Sequence, residues 1–421
     1  MRIISSTADG LEPQSSTSSD LGFKLFEPMK SHHQKAPSIN ASFMQKPYMR
    51  IPYTGPLPPP IIIPRSANTY AGALHALRNF IIAPPSSNFH PPNSSNQSVL
   101  LTGAGISVAS GLADYRGAGG TYTLNRQYRP IYYNEFVSNH EARKRYWARS
   151  FLGWTNLHRA RPNAAHWAVK RLGELGYLRS VITQNVDSFH PLAHPSLPTL
   201  ELHGYLRSLV CIHCHTHLTR SEFQTSLSAL NPAWAAFLAE ILEVGALDTE
   251  NPDERRKKGL KTNPDGDVDL PDAPYSTFRY PACPRCLRDP PRLADGRVAK
   301  VEVDVDGAWS SRSEAGVLKP AVVMFGESIV DEVKIAAEEA IDGASRILVI
   351  GSSLATYSAW RLVKRAKERG MPIGILNIGG VRGEESFFKE MLMGGNAGEK
   401  GFRCNENVVK ILPELVDILE R

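Results

Sequence analysis

Ser98-Val-Leu-Leu-Thr102 runs without a break into Gly103-Ala-Gly-Ile-Ser107, and these ten residues decide the fold. The first five read as a short buried strand, and the glycines after them as a turn that opens a helix. Strand, glycine turn, helix is the order of a parallel nucleotide-binding sheet. Glycine lets backbone approach a phosphate, and the start of a helix favours the phosphate's charge. The usual dinucleotide fingerprint is nevertheless incomplete. Position 108 is Val where a third glycine belongs, and no Asp or Glu follows about 20 residues on to hold an adenine ribose. A hydride-transferring Rossmann enzyme is therefore disfavoured, whereas nucleotide binding survives.

Outward from this turn the pattern repeats. Upstream, Leu74, Leu77, Phe80 and Ile81 recur at helical spacing, so ordered structure is expected from Tyr70. Downstream, further strand candidates are Ser180-Val-Ile-Thr183, Ala321-Val-Val-Met-Phe325, Arg346-Ile-Leu-Val-Ile350 and Pro372-Ile-Gly-Ile-Leu-Asn377. Helical patterns over 162–175, 331–341 and 359–369 separate or follow them. The core is thus α/β, a Rossmann-like parallel sheet domain. Ligands of such a sheet bind outside the carboxyl ends of its strands. Thr183-Gln-Asn-Val-Asp187, Glu201-Leu-His-Gly204, Gly351-Ser-Ser-Leu354 and Asn377-Ile-Gly379 all fall there. Each alone reads as a cap or turn; their joint occurrence points to a ribose-rich ligand.

Composition bounds the rest. At 421 residues with 42% hydrophobic content the chain can bury a sizeable core, and two domains are expected. No stretch approaches the roughly 18 to 20 apolar residues of a membrane helix, so a spanning protein is excluded. Lys plus Arg is 48 against 42 for Asp plus Glu, and no basic block forms, which gives no reason to expect nucleic-acid binding. Residues 1–69 are rich in Ser, Pro, Gln and Asn and read as a disordered or targeting lead. No acidic residue occurs from Pro28 to Ala113, while Lys30, Lys35, Lys46, Arg50, Arg65 and Arg78 are basic, a balance that suits a mitochondrial transit segment. Asp9, Glu12, Asp20 and Glu27 upstream run against it, unless translation starts near Met44 or Met49.

Four of the five cysteines form two pairs, Cys211-x-x-Cys214 and Cys283-x-x-Cys286. Two such knuckles close a tetrahedral zinc site with no position left for substrate, so one structural zinc ion is expected. The 68 residues between the knuckles exceed the usual ribbon spacing and require a structured insertion. Residues 206–318 are accordingly read as a smaller inserted zinc-binding domain. Pro232 opens a helix there, 247–274 is a charged, turn-rich loop, and Val301-Glu-Val-Asp-Val305 is an exposed hairpin. His213, His215 and His217 are neighbours of the metal rather than ligands. The domain order is then 70–205, the first part of the sheet domain, the zinc domain, and 319–421, its second part.

Taken in order, Gly103-Ala-Gly-Ile-Ser-Val-Ala-Ser-Gly-Leu-Ala-Asp-Tyr-Arg116, Thr183-Gln-Asn-Val-Asp187 with His190, Glu201-Leu-His-Gly204, the cysteine pairs, Lys319-Pro-Ala-Val-Val-Met-Phe-Gly-Glu327, Gly351-Ser-Ser-Leu354 and Asn377-Ile-Gly379 resemble the motif series of sirtuins. The resemblance covers about 70–421. Arg145-Tyr-Trp-Ala-Arg149 with Gly153-Trp154, Pro162-Asn-Ala-Ala-His-Trp167, Asn231-Pro-Ala-Trp234 and Pro264-Asp-Gly-Asp-Val268 are similar to the class II mitochondrial branch. Ala113, Phe189 and His194 stand where the family usually has proline, leucine and glycine, and 287–317 is longer than in relatives.

The resemblance implies an NAD-dependent deacylase of acyl-lysine proteins that passes the acyl group to ADP-ribose and releases nicotinamide, in the mitochondrial matrix. It makes His203 the general base, a task that suits an imidazole near neutrality. Asn185 and Asp187 hold the nicotinamide ribose and leaving group, and Gln184 bonds the ribose. Asp114, Tyr115 and Arg116 belong to a loop that closes over the cofactor. Gly103, Ala104, Gly105, Ser107, Gly351, Ser352 and Ser353 meet phosphates; Asn377, Ile378 and Gly379 meet the adenosine ribose. Cys404 is either a last cofactor contact or a small buried hydrophobe. Tyr146 and Arg149, three apart on one helix face, match the pair with which some sirtuins bind an acidic acyl group, for which an arginine fork is apt. Three rival readings stay open: protein mono-ADP-ribosyl transfer, a non-enzymatic zinc-stapled NAD sensor, and, least supported, a zinc-ribbon nucleic-acid binder.

Overall fold

The computed structural model describes residues 57–85, 96–124, 128–243, 245, 261–263, 266–270, 272–394 and 400–421. In chain order its strands are β1 (Ser98–Thr102), β2 (Leu178–Thr183), β3 (Thr199–Glu201), β4 (Gly204–Cys211), β5 (His217–Thr219), β6 (Lys261–Thr262), β7 (Val268–Asp269), β8 (Leu318–Val322), β9 (Arg346–Ile350), β10 (Ile373–Leu376) and β11 (Gly401–Cys404). The α-helices are α1 (Tyr70–Ile82), α2 (Thr121–Leu124), α3 (Tyr133–Ser138), α4 (His140–Arg159), α5 (Ala164–Glu174), α6 (Phe189–Ala193), α7 (Arg220–Leu230), α8 (Pro232–Glu243), α9 (Pro284–Arg288), α10 (Asp331–Asp342), α11 (Tyr357–Glu368), α12 (Glu384–Gly394) and α13 (Val408–Leu419).

Six strands form one parallel sheet in the order β11-β10-β9-β1-β2-β3. β1 and β9 lie at its centre and are buried at every residue, as an apolar run covered on both faces must be. One face packs α1, α5 and α13 through Leu77, Phe80, Val169, Leu172, Ile411 and Leu415. The other packs α10 and α11 through Ala337, Ile341, Leu362 and Val363. A second core gathers Trp147, Phe151, Phe223, Trp234, Phe278 and the buried zinc-knuckle cysteines, so α3 and α4 share a core with the zinc module.

The sequence placed a strand over 321–325 in the parallel sheet. The structure instead forms β8 at 318–322, antiparallel to β4 at the edge of a three-stranded sheet ordered β5-β4-β8. Pro320 explains the difference, because without an N–H it is tolerated only at an edge. The lead expected to run to residue 69 also ends earlier. Ile63 exchanges backbone hydrogen bonds with Arg403, and Ile61 N–H donates to Glu384 at 2.8 Å. Residues 1–56, which hold the rest of that lead, and 246–260, in the charged loop, lie outside the described residues.

Within 287–317 the chain turns back on itself through bridges Arg292–Val298 and Val303–Trp309. Val305 is fully exposed, in keeping with a hairpin tip, yet Trp309 is buried and stacks on Tyr280 at 5.9 Å. The Arg143 guanidinium lies 4.6 Å from the centre of the Trp309 ring. The insertion is therefore pinned to α4 by one aromatic side chain.

Candidate active site and zinc centre

The carboxyl ends of β1, β2 and β9 meet at glycine. A methyl on Gly103 would come within 2.8 Å of Gly351 O and Ser352 Cβ, and one on Gly105 within 2.9 Å of Gly351 Cα. No side chain fits, so backbone lines this crevice. Behind it, Gln184 Nε2 donates to Ser352 Oγ at 2.7 Å and to Thr102 O at 3.1 Å, while Thr356 Oγ1 donates to Gln184 Oε1 at 2.9 Å. Asn185 Nδ2 donates to Ser107 Oγ at 3.1 Å, and Ser107 Oγ donates to Asp187 Oδ2 at 2.7 Å. Phe189 N–H caps the other Asp187 oxygen at 2.9 Å. Burial pushes the Asp187 carboxyl up to about 6, against the lowering pull of those two donors.

His203 stands one residue before β4. Its Nδ1 donates to the Gln184 carbonyl at 3.0 Å, and its Nε2 lies 2.8 Å from Ser358 Oγ. Burial drives the imidazole down to about 4, so it is neutral at physiological pH with its Nε2 lone pair intact. The next residue, Gly204, has φ +75°, and a side chain there would strike Ala321 O, so only glycine lets β4 leave His203 this sharply.

The loop after β1 carries Asp114, Tyr115 and Arg116. Asp114 Oδ1 accepts from Gly117 N–H at 2.9 Å, and burial raises its carboxyl. Tyr115 stacks on Tyr122 at 5.8 Å, and the Arg116 guanidinium lies over the same ring at 5.1 Å. At the far strand ends, Asn377 Nδ2 donates to Ile378 O at 3.0 Å, and Gly379 N–H donates to Asn405 Oδ1 at 2.7 Å. Ser353 O accepts from Arg382 N–H, and Ala104 opens the short helical turn that ends at Ser107. Cys404 is buried in β11, which pushes its thiol up to about 12.

Sequence reading missed the group that holds this far end. Arg403, fully buried, donates to Glu384 at 2.6 Å, to Asn377 O at 2.9 Å and to Gly379 O at 2.5 Å. A charge between the apolar Phe402 and Cys404 was the available signal. Thr356 and Ser358 were missed as well, and nothing local marks them.

Tyr146 and Arg149 both lie in α4, and each already has partners. Tyr146 packs edge-on against Phe136 and Trp147, and Arg149 is already neutralised: its Nη2 lies 2.8 Å from Asp267 and its Nε 3.8 Å from Asp269. Burial alone would lower the guanidinium's pKa, but the Asp267 charge overcomes it and holds the group firmly cationic. The sequence reading treated Pro264-Asp-Gly-Asp-Val268 only as a branch marker, whereas its second Asp occupies the guanidinium.

The four paired cysteines bring their Sγ atoms within 4.8 Å of one another. Cys211–Cys286 and Cys214–Cys283 are each 3.6 Å apart. A tetrahedron of 2.3 Å zinc–sulfur bonds has edges of about 3.8 Å, so the set fits one zinc ion and leaves no open position. The backbone of β4, β8 and α9 fixes these sulfurs.

The glycine crevice, the Gln184–Asn185–Asp187–His203 cluster and the cysteine tetrad can now be set beside known proteins. A profile of the Sir2 family matches residues 103–358, and the chain belongs to that family. An NAD-dependent protein deacylase, SIR4, of Batrachochytrium dendrobatidis is 42% identical over 293 residues, 69% of this chain and 83% of that protein. The NAD-dependent protein deacylase SRT2 of Arabidopsis thaliana is 35% identical over 69% of this chain and 68% of its own. The mitochondrial NAD-dependent protein lipoamidase sirtuin-4 of Bos taurus is 33% identical over 69% of this chain and 76% of its own. A solved chain from a study of the mechanism and regulation of Sir2 enzymes superposes with a TM-score of 0.50 at 23% identity, covering 83% of this chain and 98% of that one, a likeness of fold.

Proposed function

We propose that this protein removes acyl groups from lysine side chains of other proteins, passing them to ADP-ribose with release of nicotinamide. The observation that carries the reading is His203: an imidazole kept neutral, its Nδ1 proton committed to the Gln184 carbonyl and its Nε2 lone pair 2.8 Å from the Ser358 hydroxyl. NAD, when bound, supplies the ribose carbon that the acyl oxygen attacks. Gly103, Gly105 and Gly351 admit its phosphates against backbone, and Ser107, Ser352 and Ser353 offer hydroxyls to them. Asn185 and Asp187 orient the ribose and hold the leaving group's side of the crevice, and Asn377, Ile378 and Gly379 take the adenosine ribose. His203 then accepts a ribose hydroxyl proton at Nε2, whose one lone pair the Ser358 hydroxyl holds in the free enzyme and yields to the ribose. Asp114, Tyr115 and Arg116 close over the site and exclude water. We read 70–205 and 319–421 as the two parts of the NAD domain and 206–318 as the zinc domain, with substrate entering between them.

The relatives named deacylases support this reading. The mitochondrial relative and the acid-free run from Pro28 to Ala113 support a mitochondrial location and the class II branch. A role for Tyr146 and Arg149 with acidic acyl groups stands as a proposal with a stated cost, since an acyl carboxylate must compete with Asp267 for the guanidinium. The test is a panel of acetyl-, glutaryl- and lipoyl-lysine peptides incubated with NAD, with nicotinamide release followed and products weighed by mass spectrometry. O-acyl-ADP-ribose, lost on His203→Ala, is the expected product. ADP-ribosylated protein instead would support the transferase rival, and no nicotinamide from any peptide would support the sensor.

A further inference from the structure

His203 is held at both ring nitrogens. The Gln184 carbonyl 3.0 Å from Nδ1 can only accept, so Nδ1 carries the proton and Nε2 the lone pair. The Ser358 hydroxyl, 2.8 Å from Nε2, is therefore the donor. Ser358 is the second residue of α11 and half-buried. The stretch that leads to it also holds the Gln184 side chain: Ser352 Oγ accepts from its Nε2 at 2.7 Å, and Thr356 Oγ1 donates to its Oε1 at 2.9 Å. One segment, 352–358, thus fixes what binds each nitrogen of the base.

A hydroxyl serves both states of an imidazole. It donates to the neutral ring, and after rotation about its C–O bond it accepts from the Nε2–H of the imidazolium. A bond to a charged group is the stronger of the two, so the hydroxyl favours proton uptake. An apolar side chain in its place would leave a buried lone pair unsatisfied before the proton arrives and a buried N–H⁺ unsatisfied afterwards.

We propose that Ser358 is a positioning residue for His203, which orients the ring in the free enzyme and supports its basicity as it takes a proton. This rests on the reading of His203 as the base. The ionisable groups on the surrounding elements are Asp187 on the turn after β2, Glu201 of β3 paired with Arg207, Lys319 of β8 paired with Glu327, and Tyr357 and Arg361 of α11, the latter paired with Glu338. The imidazole's own hydrogen bonds run to the Gln184 carbonyl and the Ser358 hydroxyl.

The test compares the full chain with its Ser358→Ala, Ser358→Cys and Ser358→Thr variants, using NAD and an acylated peptide across pH. In parallel, NMR of isotope-labelled histidine follows the His203 titration without ligand. Ala and Cys are expected to lower kcat about tenfold, to leave KM for NAD within about twofold, and to move the acidic limb of kcat/KM and the NMR titration to lower pH. Thr, which keeps the hydroxyl, is expected to restore all three. A loss of kcat with both the limb and the NMR titration unmoved would overturn the proposal, because that is what packing alone would do. If the unaltered chain releases no nicotinamide, the deacylase reading falls, and the NMR shift alone then decides whether Ser358 governs His203.

Discussion

The residues that matter most here are those whose alternatives the surroundings forbid. Gly105 is one, with Gly351 Cα within 2.9 Å of any added methyl. Gly105→Ala is expected to raise KM for NAD about tenfold while costing about 1–3 kcal/mol of stability, as overpacking does; steady-state kinetics and denaturant unfolding read the two. Arg403 is another. It faces Glu384 with both side chains fully buried, and Glu384 also accepts from Ile61 and Val381 N–H. Arg403→Leu strands a buried carboxylate and is expected to cost about 3–5 kcal/mol, while adding Glu384→Gln recovers part of the loss. Equal losses from the single and double variants in urea titrations would show that the charge was never the issue.

Among the elements, α5 and α6 carry a feature with a pH consequence. His190 Nε2 lies 2.9 Å from Thr102 Oγ1, its Nδ1 lies 2.8 Å from His194 Nε2, and the His166 ring sits 5.0 Å from that of His190. Burial holds all three below the ordinary histidine value, His166 at about 3. At these three histidines the unfolded chain therefore binds more protons than the native one from about pH 6.5 down to their lowered native values. Stability is full above that pH and falls as the medium is acidified toward about 3, where His166 protonates in place. The expected result is a lower urea midpoint at pH 5.5 than at 7.5, with a smaller drop in His194→Gln; an unchanged drop would remove His194 from the explanation. The parallel strands β1, β2, β9 and β10 and their glycine turns were legible in the sequence because they depend on nearest neighbours, whereas the short edge strands β3 and β11 were not singled out. Nor was β8 legible: its apolar pattern permits a central strand, and only Pro320 together with the partner β4 decides against it. The same limit hid Ser358, whose partner His203 lies 155 residues away, and Asp267, which only the folded chain brings to Arg149. The cysteine pairs, by contrast, announce themselves through residue type and spacing alone.

At the scale of the whole molecule, the cysteine tetrad shares its core with most of the large aromatic side chains of α3, α4, α7 and α8. Trp147, Trp234 and Trp309 all belong to the core that contains the cysteine tetrad. Chelation of the metal, or Cys286→Ser, is expected to shift tryptophan emission to the red and lower the thermal midpoint, because this core depends on a centre that orders it. Unchanged emission after verified metal loss would mean that the apolar contacts suffice without it.

The backbone of His203 links the six-stranded sheet, which ends with β3, to the three-stranded sheet that begins with β4. β4 begins at the next residue, and Val323, just past the end of β8, donates to the His203 carbonyl at 2.8 Å. Two paired antiparallel strands thus hold the main chain of His203 from both sides. A single two-stranded ribbon therefore runs from the cysteine knuckle at Cys211 to the main chain of the imidazole.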